Sequence, residues 1–265
     1  MPSTYPAELV ALEGPDAIAF AQAQFSSNLE SLDDGQWQFS AWLDAQGRVR
    51  ALFHLVRLDG QRLRLLLRGG RAEALASQLQ RYVFRAKVRV LALPAQELVT
   101  AGPMSLHAVA EQDGTLVLGC GSHGLQLAAR GDDDWRLLQV RAGWPWLASH
   151  TAGELLPAWL NLGALGATAL DKGCYPGQEI VARMHYRGGS KRHLHRLELS
   201  RVPEPGSVLA VDGKAVIQVL DAVTVDDAAE ALAVVHDDAQ ASLVSGAQAE
   251  LPDSAGTVRV IGLPS

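Results

Sequence analysis

The stretch DKGCYPGQEIVARMHYRGGSKR, residues 171–192, separates two kinds of sequence. Before it, helix-like and strand-like segments are mixed without strict alternation, which is typical of α+β folds. After it, short β-type runs separated by turn residues continue to the end of the chain, a pattern that favours a small barrel or sandwich. We therefore predict an α+β part over residues 1–190 and an all-β part over residues 191–265.

Within the first part, one unit is well marked. Residues 62–67 and 87–93 have strand-like composition, and residues 71–82 between them have helical spacing. This predicts a βαβ unit with a right-handed crossover inside a subdomain over residues 45–93. Residues 135–143, WRLLQVRAG, are also expected to form a strand. A helix is predicted to begin near Pro176, since proline suits the first turn of a helix.

Composition excludes several classes of protein. The chain has 265 residues, a net charge of −6 and only two cysteines, so it offers neither a disulfide framework nor a cysteine-based metal cluster. No run of about 18 apolar residues is present, and the N-terminus lacks the features of a signal peptide, so no membrane span is expected. These features favour a cytoplasmic protein without a metal site.

The role of Cys174 stays open from the residues alone. The thiol would lie just before the N-terminus of the predicted helix, where the positive end of the helix dipole and Lys172 both favour a thiolate. The same position suits a small buried cysteine that fills a tight turn. The free N–H groups of the helix could also bind a carboxylate or phosphate ligand.

Two further patterns carry weaker signals. Residues 183–201 contain six Lys or Arg and one acid, which suits phosphate contacts but also an exposed basic linker. No set of aromatic residues accompanies this run, so direct nucleic-acid binding is not expected. Four tryptophans lie within residues 135–159, where they could form core or wall a pocket for a flat heterocycle.

The motif itself resembles a known family. KGCYPGQE, residues 172–179, with its A-R and R-G…K-R continuation, is similar to the signature of the YgfZ-type folate-binding proteins, which are relatives of the glycine cleavage T-protein. Further segments that resemble the family are GPDAIAFAQAQFSSNL, LDAQGRVRALFHL, RAGWPWL and LLPAWLNLGALGATALDKGC, so the resemblance spans nearly the whole chain. The chain departs from the pattern at Ala158, where the family has glutamine. In the first strand no tryptophan occurs, and Tyr5 is the nearest aromatic residue.

This resemblance implies a T-protein-like ring of two interleaved ferredoxin-like α+β subdomains with a small C-terminal β-barrel. It implies a central cavity for tetrahydrofolate or a derivative, with Trp135 as a folate-contacting residue. It also implies a functional thiol at Cys174 beside Lys172. The remaining motif positions are two backbone glycines and four side chains proposed to bind the ligand with Trp135: Gly173, Gly177, Tyr175, Gln178, Glu179 and Arg183.

The function implied by the resemblance is that of an accessory protein. It would bind folate and support the assembly or repair of iron–sulfur proteins, including enzymes that modify tRNA, through transient contacts with client or assembly proteins. Catalytic activity in the usual sense is not expected. The alternative is a folate-dependent aminomethyl- or methyltransferase, for which Asp16, Asp44 and Asp171 are candidate acids by location only.

Overall fold

The computed structural model describes residues 6–112, 115–128, 131–251 and 254–262; Tyr5 lies outside these ranges. The strands are β1 Pro6–Ala7, β2 Leu9–Glu13, β3 Gln36–Leu43, β4 Val49–Asp59, β5 Arg62–Leu67, β6 Arg89–Ala92, β7 Gln96–Ala101, β8 Val109–Gln112, β9 Thr115–Gly119, β10 Gly124–Ala128, β11 Arg192–Leu199, β12 Val208–Val211, β13 Lys214–Val225, β14 Ala228–His236, β15 Ala247–Leu251 and β16 Ser254–Gly262. The α-helices are α1 Ala17–Gln24, α2 Ala72–Gln80, α3 Trp135–Arg141, α4 Gln178–Arg187 and α5 Asp237–Val244.

One five-stranded sheet has the order β3-β4-β5-β2-β6. Strands β5 and β6 both pair antiparallel with β2, so they run parallel to each other with β2 between them. The helix α2 connects them and buries Leu75, Ala76 and Leu79 against this sheet. The predicted βαβ unit is therefore present in its split form, because the crossover passes over a strand that precedes it in sequence.

A second five-stranded sheet has the order β1-β7-β10-β9-β8. The largest hydrophobic core contains residues of both sheets together with α3 and the segment that follows it. Trp37 joins the sheets directly: its ring is fully buried and its Nε1 donates to the carbonyl of Gly119 at 2.8 Å. The sheets thus form the two halves of the α+β part.

The strand predicted over residues 135–143 is wrong, because residues 135–141 form the helix α3. Its buried positions are Trp135, Arg136, Gln139 and Val140, a spacing that places them on one face of a helix. Seven residues make only two helical turns, and an apolar run of this length cannot be separated from a buried strand by periodicity. Tertiary contact favours the helix over a strand, since α3 packs on β13 and β14 of the C-terminal part.

The C-terminal part is a closed six-stranded barrel with the order β11-β14-β13-β12-β15-β16. Closure removes the exposed edges that an open sheet would leave. The first strand begins at Arg192, and the interior is filled by aliphatic side chains such as Leu197, Val219 and Ala231. The predicted all-β architecture is confirmed, with one addition: the helix α5, which connects β14 to β15, packs mainly on β16.

Two ion pairs attach the barrel to the α+β part. Arg136 Nη2 lies 2.6 Å from Asp221 Oδ1, and both side chains are nearly inaccessible. Nearby, Glu230 of the barrel pairs with Arg141 of α3 and with Arg196 of β11. The helix α3 therefore supplies both charged contacts to the barrel.

Candidate functional site

The motif turn is seated on the hairpin turn between β3 and β4. Gly177 has φ +79°, and a Cβ added to it would lie 2.6 Å from the carbonyl oxygen of Asp44 and 2.8 Å from Cα of Gly47. Gly47 is subject to the reciprocal constraint, since its Cβ would meet Ile180 at 2.7 Å. Both turns therefore need glycine for close approach and for a positive φ.

This contact also changes where the helix begins. Gly177 is the N-terminal cap in the left-handed conformation, and α4 starts at Gln178. The helix predicted near Pro176 is present and begins two residues later, because the positive φ of Gly177 interrupts helical geometry there.

Lys172 ties the motif to the segment after α1. Its Nζ donates to the carbonyls of Phe25 at 2.8 Å and Ser27 at 2.7 Å. The side chain is half-buried, and this desolvation lowers the pKa of Lys172 to about 8, against a smaller raising effect of Glu30. Two of the three ammonium donors are thereby used to hold the turn in place.

Tyr175 lies under the motif. It is buried, its ring centroid is 5.3 Å from Lys172 Nζ, and its hydroxyl has no hydrogen-bond partner among the described residues. Burial raises the pKa of Tyr175 to about 12, so the phenol stays protonated at neutral pH. A buried hydroxyl without a partner costs free energy, and it offers a donor to a water or ligand beside the turn.

The two cysteines have opposite environments. Cys174 is exposed on the motif turn. Cys120 is buried, its Sγ lies 3.6 Å from the carbonyl of Leu118, and burial raises its pKa to about 12. The chain therefore presents one thiol that another molecule can reach, because reactivity requires both access and ionisation.

The remaining motif side chains lie on the first two turns of α4. Gln178 is half-buried, while Glu179 and Arg183 are exposed, and none of the ten residues of α4 is buried. Glu179 occupies the first turn, where the helix dipole favours a carboxylate. Apart from Trp135, the predicted site residues thus form one continuous segment, with Gly173 exposed beside Cys174.

A cavity of about 600 Å³ adjoins this segment. One wall is α4, which contributes Ile180, Val181 and Met184, and the other is the loop region between residues 156 and 171. Its polar side chains include Asp171, which immediately precedes the motif, and His185 near the end of α4. The volume is within the range of about 300–1,000 Å³ that ligand pockets usually have.

Trp135 lies elsewhere. Its side chain is 1% exposed, its Nε1 donates to the carbonyl of Leu98 at 3.1 Å, and its ring packs at 5.2 Å from that of Trp146. It does not line the cavity beside α4. The structure therefore brings the motif residues together and places the predicted folate-contacting tryptophan in the core.

The core contains a polar centre around Arg68 that was not predicted from the sequence. Arg68 is 1% exposed and donates to the carbonyls of Pro145 and Trp144 and to Oε1 of Gln139, at 2.7, 2.9 and 2.6 Å. Burial without a bonded carboxylate lowers the pKa of Arg68 to about 9. Its guanidinium also lies 4.9 Å from the ring of Trp146. The sequence feature that could have indicated this centre is an arginine directly after an apolar run, as in LLLR.

The described residues contain neither a cluster of metal ligands nor a membrane-spanning helix. Within these ranges there is no group of three or more His, Cys, Asp or Glu that could hold a metal ion. In the same part of the chain, no helix is long and apolar enough to cross a membrane.

Comparison with known proteins places this geometry in context. No protein-family model matches the chain. It is 29% identical over 298 residues to the tRNA-modifying protein YgfZ of Klebsiella pneumoniae, covering 97% of this chain and 90% of the relative. It is 30% identical over 241 residues to the protein of the same name from Sodalis glossinidius, covering 76% and 72%.

Among solved structures, the chain is similar to a glycine cleavage system aminomethyltransferase T from Bartonella henselae. The TM-score is 0.69 at 18% identity, over 97% of this chain and 83% of the other. The T-protein-like fold expected from the sequence is confirmed by this similarity.

Proposed function

The chain belongs to the YgfZ family, and from that premise we propose that it binds tetrahydrofolate or a derivative and supports the assembly or repair of iron–sulfur proteins. The clients would include enzymes that modify tRNA, in keeping with the name of the relatives as tRNA-modifying proteins. Cys174 would supply the functional thiol.

The observation that carries the proposal is the exposed thiol on an anchored turn. Lys172 holds one side of the turn through two backbone carbonyls, and Gly177 holds the other through its contact with the β3–β4 hairpin. The thiol is therefore presented to partners from a fixed position. A single thiolate can provide one ligand to a cluster, or attack a client disulfide so that a mixed disulfide forms and one client thiolate leaves.

The cavity beside α4 is the folate site that we propose. Tetrahydrofolate has a pterin with N–H donors, a benzoyl ring and glutamyl carboxylates. The carboxylate of Asp171 suits the pterin donors, and the aliphatic wall of α4 suits the ring systems. His185, which lines the cavity, and Arg183, which is exposed on the same helix, suit the glutamyl end. The unpartnered hydroxyl of Tyr175 adds a donor near the motif.

Tyr186 is the aromatic residue proposed to stack on the pterin. It lines the cavity and is 76% exposed, so its ring face is available to a ligand. Trp135 would contribute only by packing in the core, since its ring is buried and its indole N–H already donates to the carbonyl of Leu98. From the first turn of α4, Gln178 and Glu179 would orient the part of the ligand that lies nearest to the motif, residues 172–179.

The thiol role is tested by the variant Cys174→Ala in cells that lack the native copy. Activity of an iron–sulfur enzyme should fall to the level of the deletion strain, whereas the matched variant Cys120→Ala should restore activity, since that thiol is buried and protonated. Restored activity with Cys174→Ala would contradict a thiol role and leave folate binding untouched.

Folate binding is tested separately by calorimetry with purified protein and tetrahydrofolate. Asp171→Asn should weaken binding by about tenfold or more, the usual effect of losing a charged hydrogen-bond partner. Glu204→Gln, an exposed carboxylate of a barrel loop, should leave affinity unchanged. Equal affinity of the wild type and Asp171→Asn would exclude this cavity as the pterin site.

A further inference from the structure

The chain from the end of α2 to the first residue of β6 forms a surface loop with unusual composition. Residues 81–89 read RYVFRAKVR, with four basic residues and no acid, in a chain whose net charge is −6. We name it the aromatic–basic loop. Its exposed side chains are Arg81, Tyr82, Phe84, Arg85, Lys87 and Arg89.

Two aromatic rings of this loop face solvent. Phe84 is 85% exposed and Tyr82 is 45% exposed. Leaving a phenylalanine ring in water forgoes about 1.5–3 kcal/mol of burial free energy. Tyr82 packs against Trp42 in a T-shaped arrangement, with ring centroids 6.0 Å apart and an interplanar angle of 82°, so this ring has a defined orientation. The two exposed rings are separated by one residue in the chain, and grouped exposed apolar side chains mark a binding surface more often than isolated ones do.

The exposure is imposed by the fold of the loop. Val88 is buried, and Val83 and Ala86 pack against the core of the first sheet, so these three residues hold the backbone in place. The backbone N–H of Lys87 also donates to Oδ2 of Asp16 at 2.7 Å. With the apolar positions turned inward, Phe84 is left on the outside.

The cations of the loop have no ion-pair partner in the described part of the chain. Among the described residues, no carboxylate forms an ion pair with Arg81, Arg85 or Lys87, or with Arg89 at the end of the loop. On β5 of the same sheet, by contrast, Arg64 pairs with Glu13 at 2.8 Å. A set of free cations beside open rings offers both parts of what a polynucleotide strand needs, phosphate contacts and stacking faces.

We propose that the aromatic–basic loop binds an unpaired nucleic-acid strand. Its bases would stack on Phe84 and Tyr82, while Arg81, Arg85 and Lys87 would contact the phosphates. A duplex is disfavoured because its bases are already stacked on one another, which leaves only backbone contacts. An acidic peptide would satisfy the cations but would leave the two ring faces without flat partners.

From the sequence, the candidate for phosphate contacts is the basic run at residues 183–201, and the aromatic–basic loop is not indicated. That run contains a single exposed aromatic residue, Tyr186, which borders the cavity of α4. In the aromatic–basic loop the aromatic residues resemble core residues in the sequence. Only their exposure distinguishes them.

The experiment is fluorescence anisotropy with the full chain and labelled oligonucleotides of about 12 nucleotides, a length suited to a short stacking site. Single-stranded RNA, single-stranded DNA and the matching duplex form the three arms. Both single strands should bind more tightly than the duplex. The logarithm of the binding constant should fall with the logarithm of salt concentration, with a slope of about −0.7 for each phosphate contact. Tighter binding of RNA than DNA would identify RNA as the source.

Variants locate the binding surface. Phe84→Ala should weaken single-strand binding about 5- to 100-fold, as expected for loss of one stacked base. Arg85→Gln should make the salt slope shallower by about 0.7. Val244→Ala and Lys214→Gln are matched exposed controls on the barrel, and both should leave binding unchanged.

Several results would overturn the proposal. They are no binding at low salt, equal binding of duplex and single strands, and unchanged affinity in Phe84→Ala. Sedimentation provides the remaining test, since a monomer–dimer equilibrium abolished by Phe84→Ala without any change in oligonucleotide binding would make the loop a self-association surface.

Discussion

Lys172 and Arg68 show how burial, at the scale of a residue, sets the chemistry of a basic side chain. Both are held by backbone carbonyls without a bonded carboxylate, and burial lowers the pKa of each, to about 8 and about 9. Arg68 is fully enclosed and organises the core between the two sheets. Lys172 is half-buried at the edge of the motif, where its protonation can respond to solvent pH.

Lys172 should make folding stability depend on alkaline pH. Its pKa is about 8 in the folded chain and near 10.5 when unfolded, so between these values the unfolded chain binds the proton more often. The free energy of unfolding therefore rises with pH across this window. In urea titrations, the free energy of unfolding of the wild type minus that of Lys172→Met should increase from about pH 7.5 to about pH 10. A difference that stays constant or decreases would contradict a lowered pKa.

At the scale of elements, α4 depends on one contact more than on burial. None of its residues is buried, and its apolar face lines a cavity, with Val181 also packed against the largest core. What fixes its start is the reciprocal approach of Gly177 and Gly47 between two turns. An open apolar face beside a fixed N-terminus suits a helix that forms one wall of a ligand site.

Gly177→Ala should therefore cost more stability than an alanine at another positive-φ glycine. Strain from the left-handed backbone costs about 1–2 kcal/mol, and overlap with the β3–β4 hairpin should add about 1–3 kcal/mol. Gly35→Ala is the matched control, because Gly35 has φ +74° with nothing within 4 Å of an added Cβ. Denaturant unfolding of the two variants gives the comparison. Equal losses of unfolding free energy in the two variants would show that the β3–β4 hairpin accommodates the added methyl group without cost.

At the scale of the whole molecule, the barrel is joined to the α+β part through α3. The pair between Arg136 and Asp221 is nearly inaccessible to solvent, and Arg136 also donates to the carbonyl of Ala222. Such a pair contributes orientation more than net stability, because its attraction must first offset desolvation of both charges. Removing one partner leaves the other charge buried.

Asp221→Ala should destabilise the chain by about 3–5 kcal/mol, the usual cost of removing one partner of a buried ion pair. Arg136 then retains its longer contact with the partly exposed Asp133 at 3.9 Å. Glu198→Ala breaks the exposed pair with Arg259 and should cost about 0–1 kcal/mol. The double variant Arg136→Met with Asp221→Leu should recover part of the loss, since no buried charge remains. Urea unfolding measures all three, and a loss in Asp221→Ala no larger than in Glu198→Ala would contradict a structural role for the buried pair.

Much of this architecture could be predicted, and the failures have physical causes. The strand–helix–strand unit and the barrel were accessible because alternation and helical spacing extend over many residues. The helix α3 was not, since its two turns carry too little periodicity. The start of α4 was placed two residues early because Pro176 and Gly177 both occur near helix ends, and only the contact with Gly47 selects the left-handed conformation.

For the candidate site, the sequence by itself determined the motif residues 172–179, the two cysteines and the family. These follow from residue types at fixed spacing along one segment. Only the tertiary structure decided that Cys174 is exposed while Cys120 is buried, that Trp135 belongs to the core, and that Phe84 faces solvent. The reason is that exposure and desolvation depend on which distant segments pack against a side chain, and local sequence does not specify those neighbours.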